Sequence, residues 1–150
     1  MDIRKLGTIY LNALAEVIST TAALQLHVKS QDNDFSFNEI VGVMSLDGQK
    51  KGMLFVSAKA ADVRLLCSNM IGAALADVTN DDIDDTMCEL VNMTAGSAKV
   101  RLSETEYMFS LTQPFVIKGK DMSLVTKPST DISTGILGSN DITVKLKIVY

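Results

Sequence analysis

Strict alternation of apolar and polar residues in the C-terminal segment Ile142–Val149 narrows the possible folds more than any other pattern in the chain. Successive side chains of a β-strand point to opposite faces of a sheet, so this segment turns an apolar row toward a core and a row of threonine and lysine away from it. Such a strand needs a sheet that is covered on one face. The segment therefore predicts a half-buried strand in a sheet that other elements cover.

Apolar residues recur at helical spacing in the segments from Met1 to Ser19, Ala58 to Ile71 and Thr79 to Leu102. These segments are predicted to be amphipathic helices that pack on the core. Polar Asn12 and Glu16 interrupt the apolar run of the first helix, which excludes it as a membrane span. Amphipathic helices of this kind are the expected cover for the sheet.

The remaining apolar and β-branched segments predict strands, and Asp47-Gly48 is a hairpin signal. Besides the C-terminal segment, the predicted strands are Phe35–Leu46, Gly52–Ser57, Tyr107–Leu111, Phe115–Lys118 and Met122–Thr126. The polar stretch Ser129–Gly135 is expected to be a loop or an irregular edge. Together the elements predict an α/β (α+β) fold with two pseudo-repeated helix–strand halves and a mostly antiparallel sheet with helices packed on one face. We expect residues 1–150 to form a single domain.

Composition excludes several classes of function. The chain has 150 residues, 47% of them hydrophobic, with 14 basic and 18 acidic side chains and a formal net charge of −4. No basic surface is available for a nucleic-acid backbone, so no nucleic-acid partner is expected. His27 is the only histidine, which excludes a His-based triad and a His-rich metal site. Cys67 and Cys88 are isolated in apolar surroundings and predict buried free thiols, which fit a cytoplasmic protein.

The third predicted helix carries an unusual polar column. At about 100° per residue, Asp85, Glu89, Asn92 and Gly96 fall on one side, opposite an apolar side that holds Leu90 among others. Asn is a poor helix former, and Gly costs roughly 1 kcal/mol relative to Ala inside a helix. Both lie in the middle of this helix, where neither is needed as a cap.

Two interpretations of the column stay open on the residues alone. The column is either an ordinary solvated face, in which Gly96 admits a neighbouring element of the same chain, or a probe that enters a partner's site. A carboxylate at Glu89 can pair with a lysine, and the amide of Asn92 can hold a water molecule. Met93 lies beside Asn92, and it is either part of the core or part of the same interface.

The run from Glu89 to Lys99 resembles the signature of the CheX-type members of the CheC/CheX/FliY family of chemotaxis phosphatases. Asp85 matches an acidic position one turn upstream of that signature. The hairpin around Asp47-Gly48, the segment from Pro114 to Gly119 and the alternating C-terminal strand resemble further landmarks of the family, in the same order. The resemblance thus covers nearly the whole chain, although Thr94 and Ser97 depart from the family's usual residues.

The resemblance implies hydrolysis of the aspartyl phosphate on a CheY-like response regulator. Asn92 would position the attacking water, Glu89 would pair with the regulator's active-site lysine, and Asp85, Met93 and Gly96 would contact the partner. No cofactor is expected on this chain, because the Mg²⁺ ion would belong to the regulator. The resemblance also implies a homodimer formed by sheet pairing.

The first helix carries Glu16 and Ser19 in an E-x-x-S pattern that offers no amide, so one active helix per chain is expected. A non-catalytic module that binds a receiver domain, or a dimeric scaffold, is the alternative function, because fold alone does not fix activity.

Overall fold

The computed structural model describes all residues from Met1 to Tyr150 as an α+β fold. The helices are α1 (Ile3–Ala22), α2 (Ala60–Ile71) and α3 (Asn80–Leu102). The strands are β1 (His27–Gln31), β2 (Ile40–Gly48), β3 (Gly52–Ala58), β4 (Phe109–Ser110), β5 (Phe115–Lys118), β6 (Ile132–Gly138) and β7 (Thr143–Val149). No helix has both the length and the apolarity needed to cross a membrane.

The helix ends follow from local chemistry. The side chain of Thr79 accepts a hydrogen bond from the backbone N–H of Asp82, and the Asp82 carboxylate accepts one from the N–H of Thr79. This capping box satisfies two backbone donors that have no partner within α3. The helix α2 ends at Gly72, whose φ of 70° lies in the left-handed region that glycine adopts without strain.

The seven strands form one antiparallel sheet in the order β1-β6-β7-β3-β2, and both β4 and β5 pair with β2. The strands β3 and β7 pair at the centre, where Val56 lies opposite Leu146. The sequence α1-β1-β2-β3 is thus repeated as α3-β5-β6-β7 about this central pair. The two pseudo-repeated halves expected from the sequence are confirmed.

The helices lie on one face of the sheet. Each of α1 and α3 covers the two-stranded hairpin of the other half, β6–β7 or β2–β3. Helix α1 packs on β6 and β7, whereas α3 packs on β2 and β3. Gly42 of β2 and Gly135 of β6 permit these close approaches, since a Cβ atom at Gly42 would lie 2.5 Å from Val91 of α3, and one at Gly135 would overlap Leu11 of α1. The main core forms between this helix layer and the sheet.

The other face of the sheet is covered partly by irregular chain. Val41, Val43 and Phe55 form a small separate cluster there. Phe37, from the segment before β2, and Met122, from the segment after β5, pack against it.

Several predicted strand boundaries were wrong. The stretch Ser129–Gly135 is not a loop, because most of it belongs to β6, an inner strand of the sheet. Conversely, Met122–Thr126 forms no strand, and β2 begins at Ile40 rather than at Phe35. The short edge strand β1 was not predicted.

Candidate functional site

Helix α3 presents the polar column to the outside. Asp85 and Glu89 are exposed, Asn92 is half-buried, and the opposite side of the helix is buried in the main core. The buried residues of that side include those predicted from the spacing: Ile83, Met87, Leu90, Val91, Thr94 and Ala98. Because this apolar side fixes the rotation of the helix, the column must face away from the sheet.

Asp85, Glu89 and Asn92 line a common depression of about 400 Å³. Its other wall is formed by residues 112–114, which lead into β5. Thr112 fixes this wall to β2, since its hydroxyl donates a hydrogen bond of 2.7 Å to the backbone carbonyl of Ser45. The site is therefore a polar concavity between a helix and an anchored loop.

Two charged groups near the ends of α3 form ion pairs, whereas the column itself does not. At the start of α3, Asp84 forms an ion pair with Lys118 of β5 at 2.9 Å. At its end, Arg101 pairs with Glu16 of α1. Glu89 and Asn92 make no side-chain hydrogen bond or ion pair within the chain, so both side chains are free to bind another molecule.

Gly96 has open space beside it. A Cβ atom built at this position would meet no atom within 4 Å outside the local helix. No neighbouring element of the chain therefore requires a glycine here, and the interpretation that Gly96 admits such an element is wrong. The cost of a helical glycine remains without an explanation inside the chain.

Cys88 lines the same depression and is only partly buried, so the expectation of two buried thiols holds for Cys67 alone. Burial raises the pKa of the Cys88 thiol, and the negative charges of Asp85, Asp84 and Glu89 raise it further. The thiol is therefore protonated at neutral pH and is a poor nucleophile.

The structure brings together three of the five residues singled out from the sequence. Asp85, Glu89 and Asn92 share the depression, and Gly96 continues the column one turn beyond it. Met93 is half-buried and packs against the main core. Its place in an interface stays a prediction.

Sequence reasoning missed the wall that faces the column. Thr112 and Gln113 lie between two strand predictions, where polar residues look like an ordinary connection. Pro114 is only a landmark of the family resemblance. No spacing rule connects these residues with α3, because the sheet register alone places them opposite it.

Both residues of the E-x-x-S pattern in α1 already have partners within the chain. Glu16 pairs with Arg101, and the hydroxyl of Ser19 accepts a hydrogen bond of 2.7 Å from the side-chain amide of Gln25. Helix α1 thus offers no counterpart of the free pair on α3.

The fold and the site define a class of protein. It is an α+β domain in which each half's helix covers the hairpin of the other half, and its longest helix exposes a carboxylate and an amide, Glu89 and Asn92, that have no partner within the chain. The family described as "Chemotaxis phosphatase CheX" matches residues 40–136, which include this helix and its facing wall. The chain belongs to the chemotaxis phosphatase CheX family. No match is found among curated proteins.

Solved structures share this fold over nearly the whole chain. Chemotaxis protein CheX from Vibrio vulnificus is 22% identical, with a TM-score of 0.83 over 96% of this chain and 97% of that chain. A CheC-like superfamily protein from a Shewanella species is 23% identical, with a TM-score of 0.84 over 99% of this chain and 98% of that chain. A complex of CheX with CheY, BeF3 and Mg²⁺ from Borrelia burgdorferi matches at 15% identity and a TM-score of 0.78, over 95% of this chain and 96% of that chain.

Proposed function

We propose that this protein hydrolyses the aspartyl phosphate of a CheY-like response regulator. The observation that carries the proposal is the free Glu89–Asn92 pair, which lines an open polar depression in a chain of the chemotaxis phosphatase CheX family. The similar complex from Borrelia burgdorferi contains CheY, which supports a partner of that class. Mg²⁺ would be held by the regulator.

Asn92 acts by positioning a water molecule. Its side-chain carbonyl accepts a hydrogen bond from the water and aims the oxygen in line with the phosphorus atom. The new P–O bond forms to water, the bond to the regulator's aspartate breaks, and inorganic phosphate and a free carboxylate result. No covalent intermediate forms on this chain, and the barrier falls because the nucleophile is already oriented.

Glu89 holds the regulator in place. Its carboxylate pairs with the regulator's active-site lysine, and removal of water from the contact in the complex strengthens that pair. Asp85, Met93 and Gly96 extend the contact along α3. Because Gly96 has no side chain, a backbone segment of the regulator can approach the helix there.

The test compares the decay of a phosphorylated receiver domain with and without this protein. CheY-like receivers are loaded with acetyl phosphate and Mg²⁺, and release of inorganic phosphate is followed. We expect faster release with the wild-type protein, and Asn92→Ala should remove at least 90% of the gain. Asn12→Ala changes an exposed asparagine on α1 and serves as the matched control.

The proposal fails if no receiver loses phosphate faster, or if Asn92→Ala keeps full activity. Binding that tightens with BeF3 on the receiver but leaves the decay rate unchanged would support the alternative, a non-catalytic receiver-binding module. Circular dichroism checks that each variant retains its fold.

We further propose that the chain forms a homodimer and works in the cytoplasm. The free edges of β1 and β5 support sheet pairing, and exposed apolar side chains of β5, Phe115 and Ile117, lie on the side away from the helices. Sedimentation equilibrium should give twice the 16.2 kDa mass of the chain. A monomer at all accessible concentrations would contradict the dimer without affecting the proposed reaction.

A further inference from the structure

A second depression lies beside the site, between α2 and α3. It has a volume of about 300 Å³, with buried Cys67 at its base and Met70 and Ile71 along one side. Asp85 and Glu89 line both this depression, here named the α2–α3 groove, and the polar depression described above. The two depressions therefore lie on either side of one acidic ridge.

The apolar side of the groove is held firmly in place. Ile71 is the last residue of α2, and 58% of its surface is exposed. The side-chain amide of Asn69 donates a hydrogen bond of 2.9 Å to the carbonyl of Ala22, and the Ser68 hydroxyl bonds the carbonyl of Ala73 beyond the helix end. These hydrogen bonds tie the last turn of α2 to Ala22 and to Ala73, so Ile71 lies in an anchored helix end rather than in a frayed terminus.

The rim of the groove is acidic, and no basic residue lines the groove. Asp82, Asp85 and Glu89 border it: the Asp82 carboxylate accepts the capping hydrogen bond from Thr79, whereas Asp85 and Glu89 form no ion pair or side-chain hydrogen bond within the chain. The ion pair at this end of α3 involves Asp84, which contacts Lys118 instead. A surface that combines an exposed isoleucine with unpaired carboxylates is complementary to an apolar side chain flanked by a basic one.

We propose that the α2–α3 groove is a docking surface for the response regulator, where it receives an apolar side chain that has a basic neighbour. This inference rests on the proposed function, because a regulator seated on Glu89 lies next to Ile71 across the shared ridge. A second copy of this chain fits the groove poorly, since its net charge is −4 and like charges repel. The groove thus adds affinity and selectivity without touching the reacting phosphoryl group.

Steady-state kinetics test this assignment, with a phosphorylated receiver that the wild-type protein dephosphorylates. Ile71→Ser should raise KM for the phosphorylated receiver about 3- to 30-fold and leave kcat within twofold, because the contact lies outside the chemistry. Ile71→Leu keeps an apolar side chain and should restore KM. Val125→Ser is the matched control, since Val125 is an exposed valine in the segment after β5 and does not line the groove.

An unchanged KM for Ile71→Ser would overturn the docking surface, and so would a loss confined to kcat. An equal effect of Val125→Ser would show that loss of any exposed aliphatic side chain acts in the same way, which also overturns it. These outcomes are separate from those of Asn92→Ala. If the protein is active but its KM does not change in Ile71→Ser, the docking surface is refuted and the proposed phosphatase activity stands.

Discussion

Single residues show where this protein departs from the rules for a stable fold. Thr94 is fully buried on the core side of α3, and its hydroxyl has no hydrogen-bond partner. Gly96 weakens the same helix and has open space beside it. The first departure has no explanation in the structure, whereas the second is accounted for if a partner approaches α3 at that point.

Replacing Gly96 with alanine should therefore separate stability from activity. The added Cβ meets nothing in the chain, so we expect Gly96→Ala to raise the free energy of unfolding by about 0.5–1 kcal/mol. The same methyl group should obstruct the regulator and slow dephosphorylation severalfold. Urea denaturation and the phosphate-release assay measure the two effects.

Ser97→Ala is the control: it also introduces alanine into α3, at the next position, and it should leave activity intact. A loss of stability in Gly96→Ala would mean that the chain itself needs the glycine. Full activity in a stabilised Gly96→Ala protein would instead remove Gly96 from the interface.

Buried Tyr10 and half-buried Tyr150 make stability fall in alkaline solution. The hydroxyl groups of Tyr10 and Tyr150 are 3.0 Å apart, and burial raises the pKa of Tyr10 above its usual range and, in the same direction, the pKa of Tyr150. The unfolded chain loses these protons near pH 10. Above that pH it binds fewer protons than the folded chain, so the free energy of unfolding must decrease as pH rises.

We expect urea midpoints to be insensitive to these two groups below about pH 9 and to fall steeply above pH 10. The double variant Tyr10→Phe/Tyr150→Phe removes both ionisations, and its alkaline decline should be shallower. If variant and wild type decline in parallel, other groups cause the effect.

At the scale of elements, helices were easier to predict than strands. The start of α3 at its capping box and the end of α2 at Gly72 are encoded within a few residues, and both agree with the sequence prediction. The strand β6 was missed because Ser133 and Gly135, which face α1 across a close approach, resemble loop residues. The segment Met122–Thr126 is apolar and β-branched like a strand, yet no neighbouring strand pairs with its backbone.

The architecture of the whole molecule makes the two halves depend on each other. Helix α1 covers the β6–β7 hairpin and α3 covers the β2–β3 hairpin, so the apolar face of each hairpin is buried by the helix of the other half, while α3 also contacts β5 of its own half. The contacts that close the core therefore join residues far apart in sequence. The free energy of folding arises only when both halves are packed together.

We expect a fragment of residues 1–78 and a fragment of residues 79–150 to be unfolded when each is alone. Mixing the two fragments should restore a dispersed NMR spectrum, because each hairpin can then pack against the helix of the other fragment. Calorimetry of the whole chain should give a single unfolding transition, as a single domain requires. A cooperative transition in either isolated fragment would contradict this dependence.

Local residue patterns are enough to predict the α+β class, the three helices, the alternating strand β7 and the outward column of α3, because helical and strand periodicity are local properties. Three placements are visible only in the folded chain: each helix covers the hairpin of the other half, residues 112–114 face Asn92, and Ile71 borders the same groove as Glu89. These placements depend on strand register and on which faces are buried together. Both arise from contacts between residues distant in the chain, which no local pattern records.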